Sequence, residues 1–395
     1  MQLKSLQDAD LKGKKVVARF DFNVPLSKTE PRKITDASRI DQAIPTIRMI
    51  LEKGASKLVI ISHLGRPDGK PDAKYSLEPV AEYLATKLGT DVILSESAID
   101  NGVKNLLQLP ETKIVLLENI RFIPGEEKND MELAEKLSQY GDIYVNDAFG
   151  AAHRKHSSTH AINAFFKNRA YAGLLMKKEI DSLSALLEKP AKPFVAVLGG
   201  AKVSDKIKTI EKMLVLVDSL LIGGAMAYPF LKAKGMAVGK SLCSDEDVIL
   251  AKQLLQADRG GKIQLPKDHV VAEGLEGAPE ACASANIPEG KMGLDIGPET
   301  IKSFSDHIKT AKTIFWNGPM GLFESKNFEK GTMSIAHTIA GTKSFSVVGG
   351  GDSVAAVQQS GEADKFSHVS TGGGASLEYL EKGELPGVQA LKLGV

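Results

Sequence analysis

The sequence has few of the features that mark secreted, zinc-binding or nucleic-acid-binding proteins. It contains 395 residues and two cysteines, Cys243 and Cys282, which lie far apart and outside any Cys-x-x-Cys spacing. This usage offers no zinc site and is typical of a reducing compartment, so we expect a cytoplasmic protein. The formal net charge is +1, which gives no whole-molecule argument for a nucleic acid or an anionic membrane as partner.

Long apolar segments are also scarce. The first residues include no apolar run of signal-peptide length. The stretch 213–231 is long enough to span a bilayer, but Asp218, Pro229 and a pair of glycines interrupt it. We therefore predict a helix end, a strand over 220–222 and a glycine turn there, rather than a membrane span.

Several well-known motifs are missing as well. No G-x-G-x-x-G follows a predicted strand, which argues against a nicotinamide-dependent oxidoreductase. The segment 235–241 resembles a Walker A loop, but its first glycine is one residue too close to the lysine. H-E-x-x-H and G-x-S-x-G are absent, so neither a zinc protease nor a serine hydrolase is indicated.

The chain does contain a repeated alternation of short apolar runs and helical patterns. This alternation predicts an α/β fold with parallel sheets. Because 395 residues exceed what one core usually organises, we expect two domains. A predicted helix from Tyr171 to Leu187, followed by a Pro-containing segment at 189–193, sets the boundaries: 1–170, a connecting helix at 171–188, and 189–383.

Glycine turns follow the predicted strands of the second half. The strand at 345–348 runs into Gly349, Gly350, Gly351, Asp352 and Ser353, where a helix begins. Glycines allow close approach of a ligand to the backbone, and the N–H groups of a helix start attract phosphate. Asp352 could share a Mg²⁺ with such phosphates, because Mg²⁺ takes one or two carboxylates. The alternative is a plain turn in which Asp352 caps the helix.

The same device recurs along the second half, after strands near 198, 222, 317 and 370. Lys202 and Lys206 follow the first of these turns with i, i+4 spacing, which predicts that they share a helical face and need an anion between or beside them. Glu324, after another turn, could accept from ribose hydroxyls. Converging glycine turns favour a nucleotide lying against the backbone.

Arginine is concentrated in the first 170 residues, where several arginines follow predicted strands. The planar guanidinium suits carboxylate and phosphate, so this half predicts a site for a small polyanion. Asp21 and Asn23 share one face of an extended chain with Arg19, while His63 and Arg66 follow the next strand. A half-exposed edge strand and a solvated basic face are the alternatives.

Two anion sites in two domains predict phosphoryl transfer across an interdomain cleft. Such a reaction depends on positioning and charge stabilisation more than on an acid–base pair. The chain lacks an obvious kinase base, which is compatible with a carboxylate nucleophile, since a carboxylate is already ionised at neutral pH.

Eight segments stand out in order along almost the whole chain: RFDFNVP at 19–25, SHLGRP at 62–67, ENIRF at 118–122, AHRKHSS at 152–158, GGAKVSDK at 199–206, WNGPMGLFE at 316–324, GGGDS at 349–353 and STGGGAS at 370–376. Together these segments resemble the phosphoglycerate kinase family. The resemblance implies reversible phosphoryl transfer between 1,3-bisphosphoglycerate and ADP, giving 3-phosphoglycerate and ATP, with Mg²⁺ carried by the nucleotide.

The resemblance also implies roles for individual residues. The glycerate ligand is expected to contact Asp21, Asn23, Arg39, His63, Arg66, Arg121 and Arg154. The nucleotide is expected at Gly200, Ala201, Lys202, Lys206, Gly293, Asn317, Glu324, Gly350, Gly351, Asp352 and Ser353, with Asp352 near Mg²⁺. The groups expected to act on the moving phosphoryl group are Arg39, Lys206, Gly372, Gly373 and Gly374.

The family fold comprises two doubly wound parallel-sheet lobes joined by a hinge helix, with the last residues, about 384–395, returning to the first lobe and the active site in the interdomain cleft. It implies a monomer without nucleic-acid or membrane partners. Two departures from the family pattern stand out: a longer loop at 26–33, which makes Arg32 a rival to Arg39, and Ala225 where many members have glycine. A non-catalytic two-lobed binding protein for anionic metabolites is the alternative function.

Overall fold

The computed structural model describes residues 3–29 and 32–393, which fall into two compact units. The first unit contains the residues up to Asp181 and those from Glu384 onward; the second is Ser182–Gly383. Glu30 and Pro31 of the long loop, and Gly394 and Val395 of the predicted C-terminal segment, lie outside the described residues.

The first unit is built on a six-stranded parallel sheet. The strands are β1 (Lys15–Arg19), β2 (Lys57–Ile61), β3 (Val92–Leu94), β4 (Ile114–Leu116), β5 (Ile143–Asn146) and β6 (Ala170–Ala172). Their spatial order is β3-β4-β2-β1-β5-β6. The apolar residues of β1, β2, β4 and β5 are buried, as expected where both faces of a parallel sheet are covered, whereas those of the edge strand β3 are only partly buried.

Helices of the first unit occupy the connections between these strands, together with one C-terminal helix. They are α1 (Ser38–Glu52), α2 (Glu78–Leu88), α3 (Asn101–Leu106), α4 (Met131–Ser138) and, from the chain end, α13 (Pro386–Leu393). Within this unit Gly387 N donates to Ala152 O over 2.9 Å, which ties α13 to the segment that follows β5.

The connecting helix is shorter at its start than the sequence predicts. Helix α5 spans Leu174–Glu188, whereas Tyr171 lies in β6 and pairs with Val145. The prediction of helix from Tyr171 is therefore wrong, because residues 170–172 complete the sheet instead. Asp147 then caps the helix, with its Oδ1 accepting from Met176 N over 2.9 Å.

The second unit contains a second six-stranded parallel sheet and a small antiparallel one. The large sheet comprises β7 (Phe194–Leu198), β8 (Ser219–Ile222), β9 (Ile263–Gln264), β13 (Thr313–Asn317), β14 (Phe345–Val348) and β15 (His368–Val369). The small sheet comprises β10 (His269–Ala272), β11 (Glu280–Cys282) and β12 (Met292–Ile296). The large sheet has the order β15-β14-β13-β7-β8-β9 and the small one β11-β10-β12.

Seven helices of the second unit connect these strands or follow the last of them. They are α6 (Ile207–Leu216), α7 (Ala227–Ala233), α8 (Asp245–Ala257), α9 (Pro298–Thr310), α10 (Lys330–Ala340), α11 (Gly351–Ser360) and α12 (Gly374–Lys382). The stretch 213–231 divides into a helix end, a strand and a turn, as predicted. Among the described residues, no helix has the length and apolar character needed to cross a membrane. The α/β class with two parallel sheets is confirmed.

Candidate functional site

Polar side chains of the first unit collect at the carboxyl edge of its sheet. Asp21 and Asn23 follow β1, His63 follows β2, and Arg121 lies in the short turn after β4. Strand β1 pairs in parallel with β2, which in turn pairs with β4, so the residues after these strands meet at one edge.

An ion pair joins two of the predicted site residues. Arg39 Nη1 donates to Asp21 Oδ2 over 2.7 Å, and His63 Nδ1 lies 3.9 Å from Asp21 Oδ1. Burial acts to raise the pKa of Asp21, but the guanidiniums of Arg39 and Arg19 and a backbone hydrogen bond from Asn23 act against burial, and that pKa lies below its ordinary value. The ionised carboxylate orients Arg39, whose side chain stays 32% exposed and open to a ligand.

A tight turn after His63 is held by two other predicted site residues. Asn23 Oδ1 accepts from Gly65 N over 2.8 Å, and Arg121 Nη1 donates to Gly65 O over 2.8 Å. Gly65 has φ +62°, and a Cβ there would lie 2.3 Å from the ring of Tyr75, so the turn requires glycine. The same turn carries Arg66, which is exposed.

Positive charge is concentrated near this turn. Burial lowers the pKa of Arg121, Glu127 opposes that effect, and Arg19 and Arg154 lower the pKa further, which shows that these guanidiniums lie within electrostatic reach of one another. Arg154 is exposed and donates through Nε to its neighbour His153 over 3.1 Å. A ligand with several negative charges would relieve this repulsion.

The other arginines of the first half do not join this group in the way the sequence suggested. Arg48 and Arg169 donate to main-chain carbonyls elsewhere in the unit. Arg32, the rival in the long loop, donates to another main-chain carbonyl over 3.2 Å, and it is Arg39 that contacts Asp21. Arg19 is fully buried, so it does not meet a ligand directly, although it lies within electrostatic reach of Asp21.

Glycine turns of the second unit follow five strands of its large sheet. Because these strands are parallel, their turns open on the same edge. The glycines are Gly199 and Gly200 after β7, Gly223 and Gly224 after β8, Gly318 after β13, Gly349, Gly350 and Gly351 after β14, and Gly372, Gly373 and Gly374 after β15.

Two of these turns pack backbone against backbone. A Cβ on Gly199 would lie 2.0 Å from Pro319 O, and one on Gly318 would lie 2.2 Å from Gly199 O. Gly318 also has φ +100°, which other residues rarely adopt. The main chain of this edge is therefore crowded, and side chains other than hydrogen are excluded from it.

The two predicted phosphate lysines differ in environment. Lys206 is largely buried and donates through Nζ to Gly199 O over 2.6 Å and to Asn317 O over 3.0 Å. Burial lowers its pKa to about 8, although Asp352 and Asp205 act to raise it. Lys202 is exposed.

The lysines do not share a helical face, so that prediction is wrong. Helix α6 begins at Ile207 and Lys206 occupies its N-cap position, because the residues between the glycine turn and Lys206 form turns instead of a helical first turn. Lys206 nevertheless reaches the strand ends, where its ammonium group lies between two main-chain carbonyls.

The turn after β14 provides a helix start open to an anion. Gly350 has φ +94°, and α11 begins at Gly351, so the first N–H groups of the helix are available for phosphate. Asn317 Nδ2 donates to Gly349 O over 2.5 Å, and Ser353 Oγ accepts from Gly318 N, which locks the turn to β13.

Asp352 in the first turn of α11 is exposed. In the described part of the chain there is no group of three or more His, Cys, Asp or Glu able to hold a metal by itself. A single carboxylate beside a phosphate-binding helix start fits Mg²⁺ that takes most of its ligands from phosphate and water.

A cavity of about 280 Å³ lies beside these turns and is lined by residues of the second unit. Its lining includes the predicted residues Gly200, Ala201, Gly293, Glu324 and Asp352, together with Ala225, Tyr228, Leu242, Leu275, Met292, Leu294, Pro319, Gly321 and Leu322. A mostly apolar pocket with a few polar groups at one end suits a flat heterocyclic base.

Gly293 shapes this cavity by its lack of a side chain. A Cβ there would lie 2.2 Å from Tyr228 Oη, so any larger residue would displace the tyrosine from the cavity wall. Sequence reasoning missed the apolar part of the wall, because single leucines and methionines in different elements form no recognisable pattern.

The predicted glycines near the chain end form another helix start. Gly373 has φ +54°, α12 begins at Gly374, and Gly372 N donates to Ser370 Oγ over 3.1 Å. These glycines and Lys202 are not among the residues that line the cavity. The three glycines lie at the same sheet edge as the other turns, because they follow β15.

Comparison with known proteins gives one consistent result. The family model described as phosphoglycerate kinase matches residues 6–383. Phosphoglycerate kinase of Anaeromyxobacter sp. (strain Fw109-5) is 50% identical over 99% of this chain and 100% of its own length. The one from Rubrobacter xylanophilus is 50% identical over 99% of this chain and 98% of its own. The solved structure of phosphoglycerate kinase from Coxiella burnetii has a TM-score of 0.88 and 39% identity, and covers 99% of this chain and 98% of that one.

Proposed function

The chain belongs to the phosphoglycerate kinase family, and we propose that the polar edge of its first unit binds the glycerate ligand while the glycine turns of its second bind the nucleotide. The reaction is reversible phosphoryl transfer between 1,3-bisphosphoglycerate and ADP, which yields 3-phosphoglycerate and ATP and belongs to glycolysis. Family membership favours this kinase activity over a non-catalytic binding protein for anionic metabolites.

The glycerate site is supported above all by the concentration of guanidinium groups at one sheet edge. Arg39 is held ready by Asp21, Arg66 and Arg154 are exposed, and Arg121 lies within electrostatic reach of Arg154. Guanidinium groups bind carboxylate and phosphate through paired hydrogen bonds, so these four suit the two ends of a phosphoglycerate. Asn23 and His63 complete the proposed site.

The nucleotide site is supported by the apolar cavity and the adjacent helix start. The base would occupy the cavity beside Gly293, Glu324 would accept from a ribose hydroxyl, and the phosphates would meet the N–H groups at Gly351 and Asp352. Lys202 and Lys206 would neutralise the phosphate charge.

Mg²⁺ bound to the nucleotide, with Asp352 as the proposed protein ligand, would neutralise charge on the phosphate oxygens. Residues of the chain itself would stabilise the charge on the transferred phosphoryl group. Lys206 and Arg39 would stabilise charge on the transferred group from the nucleotide and glycerate sides, and the N–H groups at 372–374 would do so from the start of α12.

The acceptor is a carboxylate that needs no general base, because it is already ionised at neutral pH. Transfer requires the two ligands to meet and water to be excluded, so closure of the two units around a hinge in the connecting helix is part of the proposal. We also propose a cytoplasmic monomer, as the family resemblance implies.

A coupled assay of 3-phosphoglycerate phosphorylation by MgATP tests the proposal directly. The matched variants are Arg39→Ala and Arg32→Ala: Arg32 lies in the long loop, whereas Arg39 lies in the first turn of α1 and contacts Asp21. We expect activity in the parent chain and in Arg32→Ala, and its loss in Arg39→Ala. A parent chain that binds both ligands without turnover would contradict the proposal.

A further inference from the structure

Arg19, at the end of β1, is fully buried and makes three side-chain contacts at the base of the glycerate site. Its Nε donates to Ser158 Oγ over 2.9 Å, its Nη1 donates to the carbonyl of Phe20, and its Nη2 lies 3.0 Å from His63 Nδ1. Burial keeps Arg19 from touching a ligand directly. Because Arg19 contacts His63, it can still affect a bound ligand through that histidine.

The contact between Arg19 and His63 has a single chemical interpretation. A guanidinium has five N–H donors and no acceptor, and it does not lose its proton in proteins. His63 Nδ1 must therefore accept, which leaves the ring proton on Nε2. We propose that Arg19 is a positioning residue that sets the tautomer of His63, so that the imidazole meets the glycerate ligand as a neutral Nε2–H donor. This inference rests on the proposed function of the first unit.

The charges that face His63 support the neutral form. Burial holds the pKa of His63 well below its ordinary value; Asp21 acts to raise it, and Arg19, Arg121 and Arg39 lower it. One carboxylate, 3.9 Å from Nδ1, thus opposes three guanidiniums and the loss of hydration. A proton on Nδ1 would also bring an N–H group directly against Arg19.

A second layer of contacts fixes Arg19 itself. Ser158 Oγ accepts from Arg19 and donates to Glu126 Oε1 over 2.6 Å, while Ser158 N donates to Glu126 Oε2 over 3.0 Å. Glu126 is fully buried, and burial raises the pKa of its carboxyl while Arg19 and the hydrogen bonds from Ser158 act to lower it, so Arg19 and Glu126 lie within electrostatic reach of each other. Because Ser158 and the carbonyl of Phe20 hold the other two guanidinium nitrogens, Nη2 of Arg19 has little freedom to leave His63.

The consequence for binding concerns the other ring nitrogen. Within the described part of the chain, no hydrogen bond joins His63 Nε2 to the protein, so its N–H is available to a ligand oxygen. A neutral donor of this kind keeps its proton across the physiological pH range, whereas an imidazolium would lose one. The hydrogen bond to the ligand is therefore expected to be insensitive to pH near neutrality.

The direct test is the ¹⁵N spectrum of the histidine rings in the uniformly labelled parent protein, with His63→Gln used to assign the signals. Protonated and bare ring nitrogens give well-separated shifts, so the tautomer is read without any assay of activity. We expect His63 to show a protonated Nε2 and a bare Nδ1 from pH 6 to 8. A proton on Nδ1, or on both nitrogens at pH 7, would overturn the proposal even if the chain is an active kinase.

Variants then test whether Arg19 is the cause. Arg19→Met removes the donor, and Asp21 should then draw a proton to Nδ1; the KM for 3-phosphoglycerate should rise roughly tenfold, as for one lost hydrogen bond, with the KM for ATP unchanged. Arg19→Lys retains a donor and should restore the parent tautomer at least partly. Arg48→Met, at an exposed arginine of the same unit, is the matched control and should change neither measurement.

Folded Arg19→Met with the parent tautomer and an unchanged KM would remove Arg19 from this role. If Arg19→Met does not fold, Ser158→Ala gives the answer, because it releases one of the three anchors of Arg19. We expect this variant to show a measurable population of the second His63 tautomer, and a spectrum identical to that of the parent would contradict the proposal.

Discussion

The two units present different parts of the chain to their proposed ligands. The first unit offers long charged side chains, such as Arg66 and Arg154, which are exposed and can be removed without opening the core. The second offers main-chain groups at glycine turns, where Gly199 and Gly318 approach each other too closely for any side chain. A substitution at the binding edge of the first unit should therefore change ligand binding without changing the free energy of unfolding, whereas a substitution at the glycine turns of the second unit should change both.

The largest expected effect comes from Lys206, a side chain of the second unit that is proposed to act on the transferred phosphoryl group. Lys206→Ala should lower turnover about 10³-fold, because a preorganised positive charge beside the transferred group is lost. The affinity for 3-phosphoglycerate should be unchanged, since that ligand is assigned to the other unit. Steady-state kinetics and calorimetric titration check the two expectations.

Lys208→Ala is the matched control for Lys206→Ala. Lys208 is exposed on the first turn of α6. Its replacement by alanine removes the same single positive charge, but it leaves intact the contacts that Lys206 makes with Gly199 and Asn317. Normal turnover in Lys206→Ala would remove this lysine from the mechanism, and equal losses in the two variants would point to net charge as the cause.

The second-largest expected effect is a loss of folding stability, and it tests whether the main chain at the glycine turns of the second unit is too crowded for side chains. Gly318→Ala places a methyl group 2.2 Å from Gly199 O at φ +100°. The strain and overpacking together should lower the free energy of unfolding by about 3 kcal/mol. Urea unfolding measures this change.

Gly274→Ala serves as the reference for Gly318→Ala, because its Cβ would meet no atom within 4 Å. Its free energy of unfolding should stay within about 0.5 kcal/mol of the parent value. If both variants unfold at the same urea concentration as the parent, the glycine edge is not as crowded as the distances indicate, and the comparison between the units fails.

A third substitution tests the side-chain half of the comparison. Arg66→Ala should raise the KM for 3-phosphoglycerate by about tenfold to a hundredfold, as for the loss of one charge-assisted contact. Its free energy of unfolding should match that of the parent, because Arg66 is exposed on the turn at Gly65. Arg48→Ala is the control, and a clear loss of stability in Arg66→Ala would show that binding and folding are coupled in this unit too.

Sequence reasoning succeeded where a residue type has one main use in a given place. Glycines after apolar strands indicated the turns of the second unit, since few other reasons place a glycine there. Polar residues after β1, β2 and β4 indicated the edge of the first sheet in the same way.

Sequence reasoning failed where burial or contacts between residues far apart in the chain decide the structure. Alternation along the chain groups Arg19 with Asp21 and Asn23, but it does not show that Arg19, the last residue of β1, is fully buried while the other two are only partly buried. The local pattern predicts helix at Tyr171 because its strand is only three residues long and its pairing with Val145 is not local. The apolar cavity wall draws on several elements and has no local signature.

The smallest expected effect is the uptake of protons by Lys206 when nucleotide binds. Its pKa in the folded protein is about 8 because of burial, against 10.5 for the unfolded chain. Between these two pH values the folded state therefore binds fewer protons than the unfolded chain. Burying the charged ammonium group lowers the free energy of unfolding; this loss is fully present below pH 8 and disappears as the pH rises toward 10.5.

Nucleotide phosphates beside Nζ of Lys206 should raise the pKa of this lysine again. Binding of MgADP at pH 8 should then take up about half a proton per site, since a group at its pKa is half protonated.

Titration calorimetry in two buffers of different ionisation enthalpy measures that uptake. Lys206→Ala should abolish it, whereas Lys208→Ala should leave it intact, because Lys208 is exposed and has no buried contacts to exchange. Zero uptake in the parent would mean that Lys206 remains on the carbonyls of Gly199 and Asn317 when nucleotide binds. In that case Lys206 would add no charge neutralisation to nucleotide binding, the second unit would depend more heavily on its main-chain N–H groups, and the contrast with the side-chain site of the first unit would become sharper.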